Sequence, residues 1–502
     1  MPRKYKVEYG DFQTPEELAN QIVGFVKEIG LHPTVIVEPT CGLGSFIKAT
    51  ISGFGHTPQY YAFDLNLTYL KQLQERVSTN HLRLNIACQN FFTQDWPTFF
   101  TNLASENILV IGNPPWVTNA TLGTLGSTNV PTKTNFQGYR GFDAKTGKAN
   151  FDIAEWILIK LFESLQRNTA WVAMLCKTAT ARKVLQHAWQ RQVNVLQASL
   201  HRIDAKKHFG VAVDACLLLT YLGSGKHTTD ATVYSGVNFT YKISRFGLHG
   251  KELIANLDAY QKFKDLDGIA YYTWRSGVKH DAADVMELTQ NGTAFMNGFR
   301  KIVDIEPEYV YPLLKSSDIG NHRLIPRKYV ILPQKQIGED TKNIAMHAPK
   351  TWSYLLKYAD ILNKRKSSLY KNQPRFAIFG VGAYSFAPWK VTISGLYKRI
   401  QFSVVGNLSG KPIMVDDTCY FIPCASRNEA LFVADLLNSK ICQSFLHALI
   451  FFDAKRPITK DILQRIDLQK LAERYNLGER AYEYFASPQA NRSGLLSFVF
   501  NG

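Results

Sequence analysis

The sequence predicts an α/β protein whose first half holds a mostly parallel sheet with helices on both faces, followed by a second, α+β domain. Three observations carry this expectation. Short β-rich apolar runs alternate with amphipathic helical stretches as far as residue 222. A glycine turn joins the first of those runs to a helix. Near residue 230 the alternation gives way to a stretch rich in aromatic and basic residues.

The elements follow in order. Thr34–Glu38 (TVIVE) reads as a buried strand, Tyr60–Asp64 (YYAFD) as a second, Leu84–Cys88 as a third and Ile108–Gly112 (ILVIG) as a fourth. Trp171–Leu175 (WVAML) and Ala215–Tyr221 (ACLLLTY) continue the series. Helical periodicity appears at Glu16–Ile29, Leu67–Val77 and Ile153–Gln166. Two irregular stretches interrupt the pattern. Val117–Ala149 is rich in Thr, Gly and Asn, and a loop of that length is usually functional or disordered. Gly223–Asp230 (GSGKHTTD) is polar and breaker-rich, and a domain boundary is expected there, giving domains 1–230 and 231–502. Its Gly-Lys is not a phosphate loop, because the required first Gly is absent and His227 stands where Ser or Thr belongs.

The bulk composition narrows the class. With 502 residues the chain suits two or three domains. No segment reaches the roughly 18 uninterrupted apolar residues of a membrane span, and Met1–Lys6 lacks a signal-peptide core, so no membrane role and a cytoplasmic location are expected. Seven scattered cysteines without a Cys-x-x-Cys pair suggest neither a disulfide framework nor a metal site. The net charge is +17, which suggests a polyanionic partner. Residues 1–230 hold 22 Lys+Arg against 17 Asp+Glu, so most of the excess lies in the second half.

Two short segments carry chemistry. Val35–Phe46 reads as a strand, the acidic Glu38, and a Gly42-x-Gly44 turn opening a helix, where a ligand can approach the backbone closely. Asp64, 22 residues beyond Gly42 at the end of the next strand, can accept hydrogen bonds from ribose hydroxyls. A dinucleotide site would look similar, but no third glycine follows Gly44: bulky Phe46 and Ile47 stand there. Glu38 would repel a pyrophosphate, yet can engage the positively charged end of a sulfonium amino-acid cofactor. A glycine turn without a ligand is the bland alternative.

Asn113-Pro114-Pro115-Trp116 follows the fourth strand, at the carboxyl edge where open α/β sheets hold ligands. Two prolines stiffen the backbone and remove two amide hydrogens, so the segment presents carbonyls without competing donors. An aromatic amine needs such acceptors. If the Asn113 side-chain oxygen and the Pro114 carbonyl take its two hydrogens, the nitrogen lone pair becomes available for direct in-line displacement. Trp116 offers a flat face on which an extruded base could stack.

With these residues in hand, the chain resembles the gamma-type adenine-N6 DNA methyltransferases, in which amino-terminal cofactor motifs precede a target-recognition domain. Phe12-Gln13-Thr14-Pro15 is similar to their leading cofactor motif, Glu38–Phe46 to motif I, Phe63-Asp64 to motif II, and Asn90-Phe91-Phe92 to the segment that contacts the cofactor adenine. Asn113–Trp116 matches the catalytic tetrapeptide. Asn150-Phe151-Asp152 resembles the next motif, and Phe209-Gly210-Val211 the late motif whose aromatic holds the flipped base. The resemblance implies a Rossmann-like methyltransferase domain using S-adenosyl-L-methionine. Phe12, Thr14, Glu38, Cys41, Gly42, Gly44, Phe46, Asp64, Asn90, Phe91 and Asn113 would lie at the cofactor, and Trp116 and Phe209 at the target base. Departures are Glu38 for the commoner Asp, Cys41 at a position often small, and Trp116 for the commoner Tyr.

Double-stranded DNA is the implied partner. Less specifically, Trp274–His280, Pro312–Asp318, Asn363–Lys390 and Phe452–Pro457 resemble parts of a recognition domain. Their basic residues Lys279, Lys315, Arg365, Lys366, Lys371, Arg375 and Lys390, with Lys364 and the Arg327-Lys328 pair, are candidate DNA contacts. The loop at 117–149, with Gly138, Gly141 and Lys145, is a candidate cover for the flipped base. The cofactor motif begins so near Met1 that no preceding nuclease domain is expected, and any cutting would fall to a separate restriction endonuclease. Rival readings are a cytosine-N4 or RNA-adenine methyltransferase, or a DNA-recognition subunit without turnover. Cytosine-N4 enzymes more often carry Ser before the two prolines.

Overall fold

The computed structural model describes residues 12–77, 83–103, 106–117, 152–237 and 241–485. The loop expected at 117–149, apart from Val117, lies outside the described residues, as do Asn150 and Phe151. The chain divides into two compact units, Met1–Asp258 and Ala259–Gly502.

The first unit is built on one sheet. Its strands are β1 (Val35–Glu38), β2 (Gln59–Asp64), β3 (Arg83–Cys88), β4 (Ile108–Gly112), β5 (Ala170–Lys177), β6 (Val195–Ile203) and β7 (Ala215–Leu222), extended by β8 (Asp230–Tyr234), β9 (Lys242–His249) and β10 (Glu252–Ile254). They lie in the order β10-β9-β8-β6-β7-β5-β4-β1-β2-β3. The five strands β3-β2-β1-β4-β5 pair in parallel, and β7 enters antiparallel between β5 and β6. β1 and β4 are buried at every position, which is why they read as continuous apolar runs.

Helices α1 (Glu16–Glu28), α2 (Ser45–Phe54), α3 (Leu67–Arg76), α4 (Trp96–Thr101), α5 (Ile153–Ser164), α6 (Thr178–Gln190) and α7 (Ala205–Phe209) flank the sheet. α1 turns Leu18, Ala19, Ile22, Val23, Phe25 and Val26 inward, the spacing of one helical face. Against it α2 comes so close that a Cβ on Gly53 would lie 2.8 Å from the Val23 side chain. α3, α5 and α7 start on Asn66, Asp152 and Asp204, whose carbonyl or carboxylate oxygens accept amide hydrogens of the first turn.

The boundary expected at residue 230 is corrected to Asp258. GSGKHTTD is a turn inside the first unit, and β8–β10 then add to the sheet edge. Arg245 of β9 ties this edge together, reaching Asp230 at 3.0 Å and Asp258 at 2.8 Å.

The second unit is α+β. A six-stranded sheet runs β14-β13-β12-β16-β15-β21 and a four-stranded sheet β11-β22-β17-β18, with a small β19–β20 hairpin. The strands are β11 (Arg275–Ser276), β12 (Glu287–Asn291), β13 (Ala294–Met296), β14 (Ile302–Val303), β15 (Val310–Leu314), β16 (Lys328–Ile331), β17 (Trp389–Ser394), β18 (Ser403–Val405), β19 (Asn407–Leu408), β20 (Lys411–Pro412), β21 (Met414–Val415) and β22 (Cys419–Cys424). Gly277 joins the two sheets: a Cβ there would sit 2.1 Å from the Val415 carbonyl oxygen, so only glycine lets the chains approach. Among the described residues no helix is long and apolar enough to cross a membrane.

Candidate active site

The carboxyl ends of β1, β2 and β4 converge in the first unit, and each delivers one polar side chain. Glu38 ends β1, Asp64 ends β2, and Asn113 follows β4 directly. After Glu38 the chain must turn sharply into α2. Gly42 and Gly44 make this turn at φ +53° and +77°, a region that favours glycine. A Cβ on Gly44 would also meet the Leu73 side chain at 2.3 Å.

Asp64 braces that turn. One carboxylate oxygen accepts the Gly42 amide at 2.8 Å and the other the Asn66 amide at 2.8 Å. Gln13 closes the turn from the other side, its Oε1 accepting the Leu43 amide at 3.0 Å. Ser45 Oγ donates to the Thr14 carbonyl at 2.7 Å, so the Phe12–Pro15 segment is stitched to the start of α2.

Glu38 is buried, and its Oε2 accepts the Ile47 amide at 3.1 Å. Burial pushes its carboxyl well above the usual range, the Asp64 charge adds to this, and the Ile47 amide opposes it. Burial likewise pushes the Cys41 thiol up, so it is an inert part of the turn rather than a nucleophile.

Asn113 is the distinctive member. Its Nδ2 donates to the Phe12 carbonyl at 2.9 Å, which fixes which way the amide faces. Its Oδ1 is buried with no hydrogen-bond partner among the described residues. A buried acceptor left empty costs about 1–3 kcal/mol, so such a group invites a donor from a ligand. Thr40 Oγ1, in the turn after β1, is a second buried atom without a hydrogen-bond partner among the described residues.

Trp116 departs from expectation. Rather than offering an open face, its ring is only 5% exposed and packs with Phe209 at 5.1 Å and Phe12 at 6.3 Å between centroids. Its indole N–H donates to the Leu175 carbonyl at 3.4 Å. Stacking a base on this ring therefore requires Phe12 or Phe209 to shift. Phe46, expected at the cofactor, is a residue of α2 packed into the core at 1% exposure. Phe91 packs on Trp96 at 4.8 Å and its carbonyl takes the Trp96 indole hydrogen, while the Asn90 side chain caps its own turn at the Phe92 amide.

Sequence reasoning missed Lys177, the last residue of β5. Its ammonium donates to the Trp116 carbonyl at 3.0 Å and to Asp152 at 2.6 Å. It also missed the bracing role of Gln13. Among the described residues no cluster of three or more His, Cys, Asp or Glu is placed to hold a metal.

In the second unit the candidate DNA contacts divide. Lys390 is corrected outright: it is 2% exposed, its ammonium donates to the Ala387 carbonyl at 3.0 Å, and burial pulls its pKa down to about 7. Arg365 is a packing residue, bonded to the Leu362, His280 and Ala377 carbonyls and lying 3.8 Å over the Tyr370 ring. Lys315 and Lys328 pair with buried Glu287 at 2.5 and 3.4 Å. Arg327 pairs with Asp318 at 2.7 Å, and Lys279 with Asp281 at 2.6 Å. Lys364, Lys366, Lys371 and Arg375 are exposed.

The sequence matches no family model. The chain is 43% identical over 473 residues to the Type II methyltransferase M.NspV of Nostoc sp. (strain ATCC 29411 / PCC 7524), covering 94% of this chain and 98% of that protein. Its fold is similar to that of the Type IIL restriction-modification enzyme MmeI, solved in complex with DNA: the TM-score is 0.51 at 12% identity, over 97% of this chain and 69% of that one.

Proposed function

The chain belongs to the Type II methyltransferases, and from that membership we propose that it transfers a methyl group from S-adenosyl-L-methionine to the N6 amine of an adenine extruded from a specific double-stranded DNA sequence, as the modification enzyme of a restriction–modification system. One observation carries this reading more than any other: the buried, unpartnered Oδ1 of Asn113, held in direction by the Nδ2 bond to Phe12.

The residues around the turn suit the cofactor. Asp64 stands at the Gly42–Gly44 turn, where a carboxylate can accept ribose hydroxyls, and Thr40 Oγ1 has no hydrogen-bond partner among the described residues. The carboxyl of Glu38, costly to ionise alone, gains a counter-charge from an α-ammonium group. The cofactor supplies an electrophilic methyl group on a sulfonium sulfur.

The protein's share of the chemistry is orientation. Asn113 Oδ1 accepts one amine hydrogen and the Pro114 carbonyl the other, drawing the lone pair out of the ring and pointing it along the transfer axis. No covalent enzyme intermediate is needed. Phe209 and, after a shift of its neighbours, Trp116 bracket the extruded base. The second unit serves as the target-recognition domain, with Lys364, Lys366, Lys371 and Arg375 touching phosphates.

The test is to incubate the protein with plasmid DNA and S-adenosylmethionine and map N6-methyladenine by single-molecule sequencing. Methylation at one recurrent sequence by the wild type, and its loss in Asn113→Ala, is expected. Methylcytosine in place of methyladenine would replace the base assignment, and no DNA methylation would overturn the reading.

A further inference from the structure

We infer that Lys177 is a positioning residue for methyl transfer: held by Asp152, its ammonium fixes the main chain of the Asn113–Trp116 segment on the tip of β5. This rests on the function proposed above.

The segment needs an anchor. The pairing of β4 with β5 ends at Gly112 and Met174, so Asn113–Trp116 leaves the sheet with no ladder beneath it. Pro114 and Pro115 have no amide hydrogens with which to tie themselves down. Trp116 is then gripped by β5 at its indole N–H and its main-chain carbonyl. Its indole N–H donates to the Leu175 carbonyl at 3.4 Å, and its main-chain carbonyl accepts the Lys177 ammonium at 3.0 Å. One residue on, the Val117 carbonyl accepts the Ile153 amide at 2.8 Å. Among the described residues the Lys177 bond is the one a side chain donates to the main chain of this run.

Asp152 makes the anchor rigid. Its Oδ1 caps α5 through the Ala154 amide at 3.0 Å, and its Oδ2 takes the ammonium at 2.6 Å. The pair is mostly shielded, with side-chain exposures of 27% for Lys177 and 11% for Asp152, and is neutral overall. A charge-assisted bond in that setting is stronger than a neutral one. It therefore adds directional hold without placing a net charge beside an amine that becomes positive as it is methylated. Displacing reacting groups by about 1 Å can cost about 100-fold in rate, so loosening this bond should appear in turnover rather than in cofactor affinity.

The experiment compares wild type, Lys177→Met and Lys177→Arg in three readouts: single-turnover methyl transfer to DNA bearing the mapped site, cofactor binding by calorimetry, and hydrogen–deuterium exchange of the peptide spanning Ile111–Val117. Lys177→Met should slow transfer about 100-fold, leave cofactor affinity within about twofold, and speed exchange of that peptide. Lys177→Arg, which keeps a charged donor, should recover most of the rate and the protection. Transfer by Lys177→Met within about threefold of wild type, unchanged exchange, or an equal loss of cofactor affinity overturns the inference. If the wild type methylates no DNA, the proposed function fails, and the exchange measurement still decides whether Lys177 holds the segment.

Discussion

Glu38 sits at the end of β1 with one backbone amide for company, and that isolation governs how the site responds to pH. Burial first, and the Asp64 charge second, raise its pKa above 4.5, the ordinary value. Its contribution to stability is therefore full below about pH 4.5 and is lost as pH rises through the folded value. Glu38→Gln keeps the acceptor for Ile47 and removes that cost, so at neutral pH the ligand-free variant should melt no lower than wild type. Its cofactor Kd should rise at least about tenfold by calorimetry; an unchanged Kd would remove Glu38 from the cofactor site. Lys390 has the opposite sign. Its pKa is pulled from 10.5 down to about 7 by burial, so its cost sets in as pH falls below about 10.5 and is complete by about pH 7. Lys390→Met should raise the melting temperature below pH 7 and leave DNA affinity unchanged, whereas Lys366→Ala should weaken DNA binding and reduce the salt slope by about 1; equal effects on DNA would restore Lys390 as a contact. Asn113, Asp64 and the two glycines were legible in the sequence because each sits in a short run whose neighbours explain it. Lys177 and Gln13 were not, because their partners lie 61 and 30 residues away.

The turn between β1 and α2 shows how an element depends on one residue's backbone. Gly44 precedes α2 at φ +77° and faces Leu73, so alanine there is strained twice over. Gly44→Ala should cost at least about 1–2 kcal/mol from the left-handed conformation alone. It should also weaken cofactor binding; a variant with wild-type melting and affinity would contradict this account of the turn. The strands that read as apolar runs, β1, β4, β5 and β7, were found from sequence because they are buried on both faces. β6 was missed. Its VLQASLHRI mixes polar and apolar residues, and its buried His201 is satisfied locally by Ser199 at 2.9 Å. β8 escaped because it begins inside a polar, breaker-rich run, and with it went the boundary. α6 follows β5 with no loop, so no breaker residue marked its start.

Across the whole chain, the net charge of +17 reads as a nucleic-acid signal, yet much of the basic surface expected in the second unit is spent on structure. Glu287 collects Lys315, Lys328 and His280. Although burial opposes its ionisation, the hydrogen bonds from His280 and Lys315 hold its pKa down to about 2. This stabilisation is present above about pH 4.5 and is lost as pH falls through about 2. Glu287→Gln should destabilise the second unit by about 3–5 kcal/mol at pH 7, with the gap to wild type narrowing in calorimetric scans taken toward pH 3; a gap independent of pH would show that the cluster is held by packing rather than charge. Composition could report the excess of lysine and arginine but not their pairing, which depends on contacts such as Lys315 with Asp416 that only the fold creates. The central claim remains the empty acceptor on Asn113. It is tested most directly by the single-turnover rate of methyl transfer to DNA adenine in Asn113→Ala, with cofactor binding measured alongside. A rate at least about 100-fold below wild type with DNA binding retained is the predicted result, and a rate within threefold of wild type would contradict it.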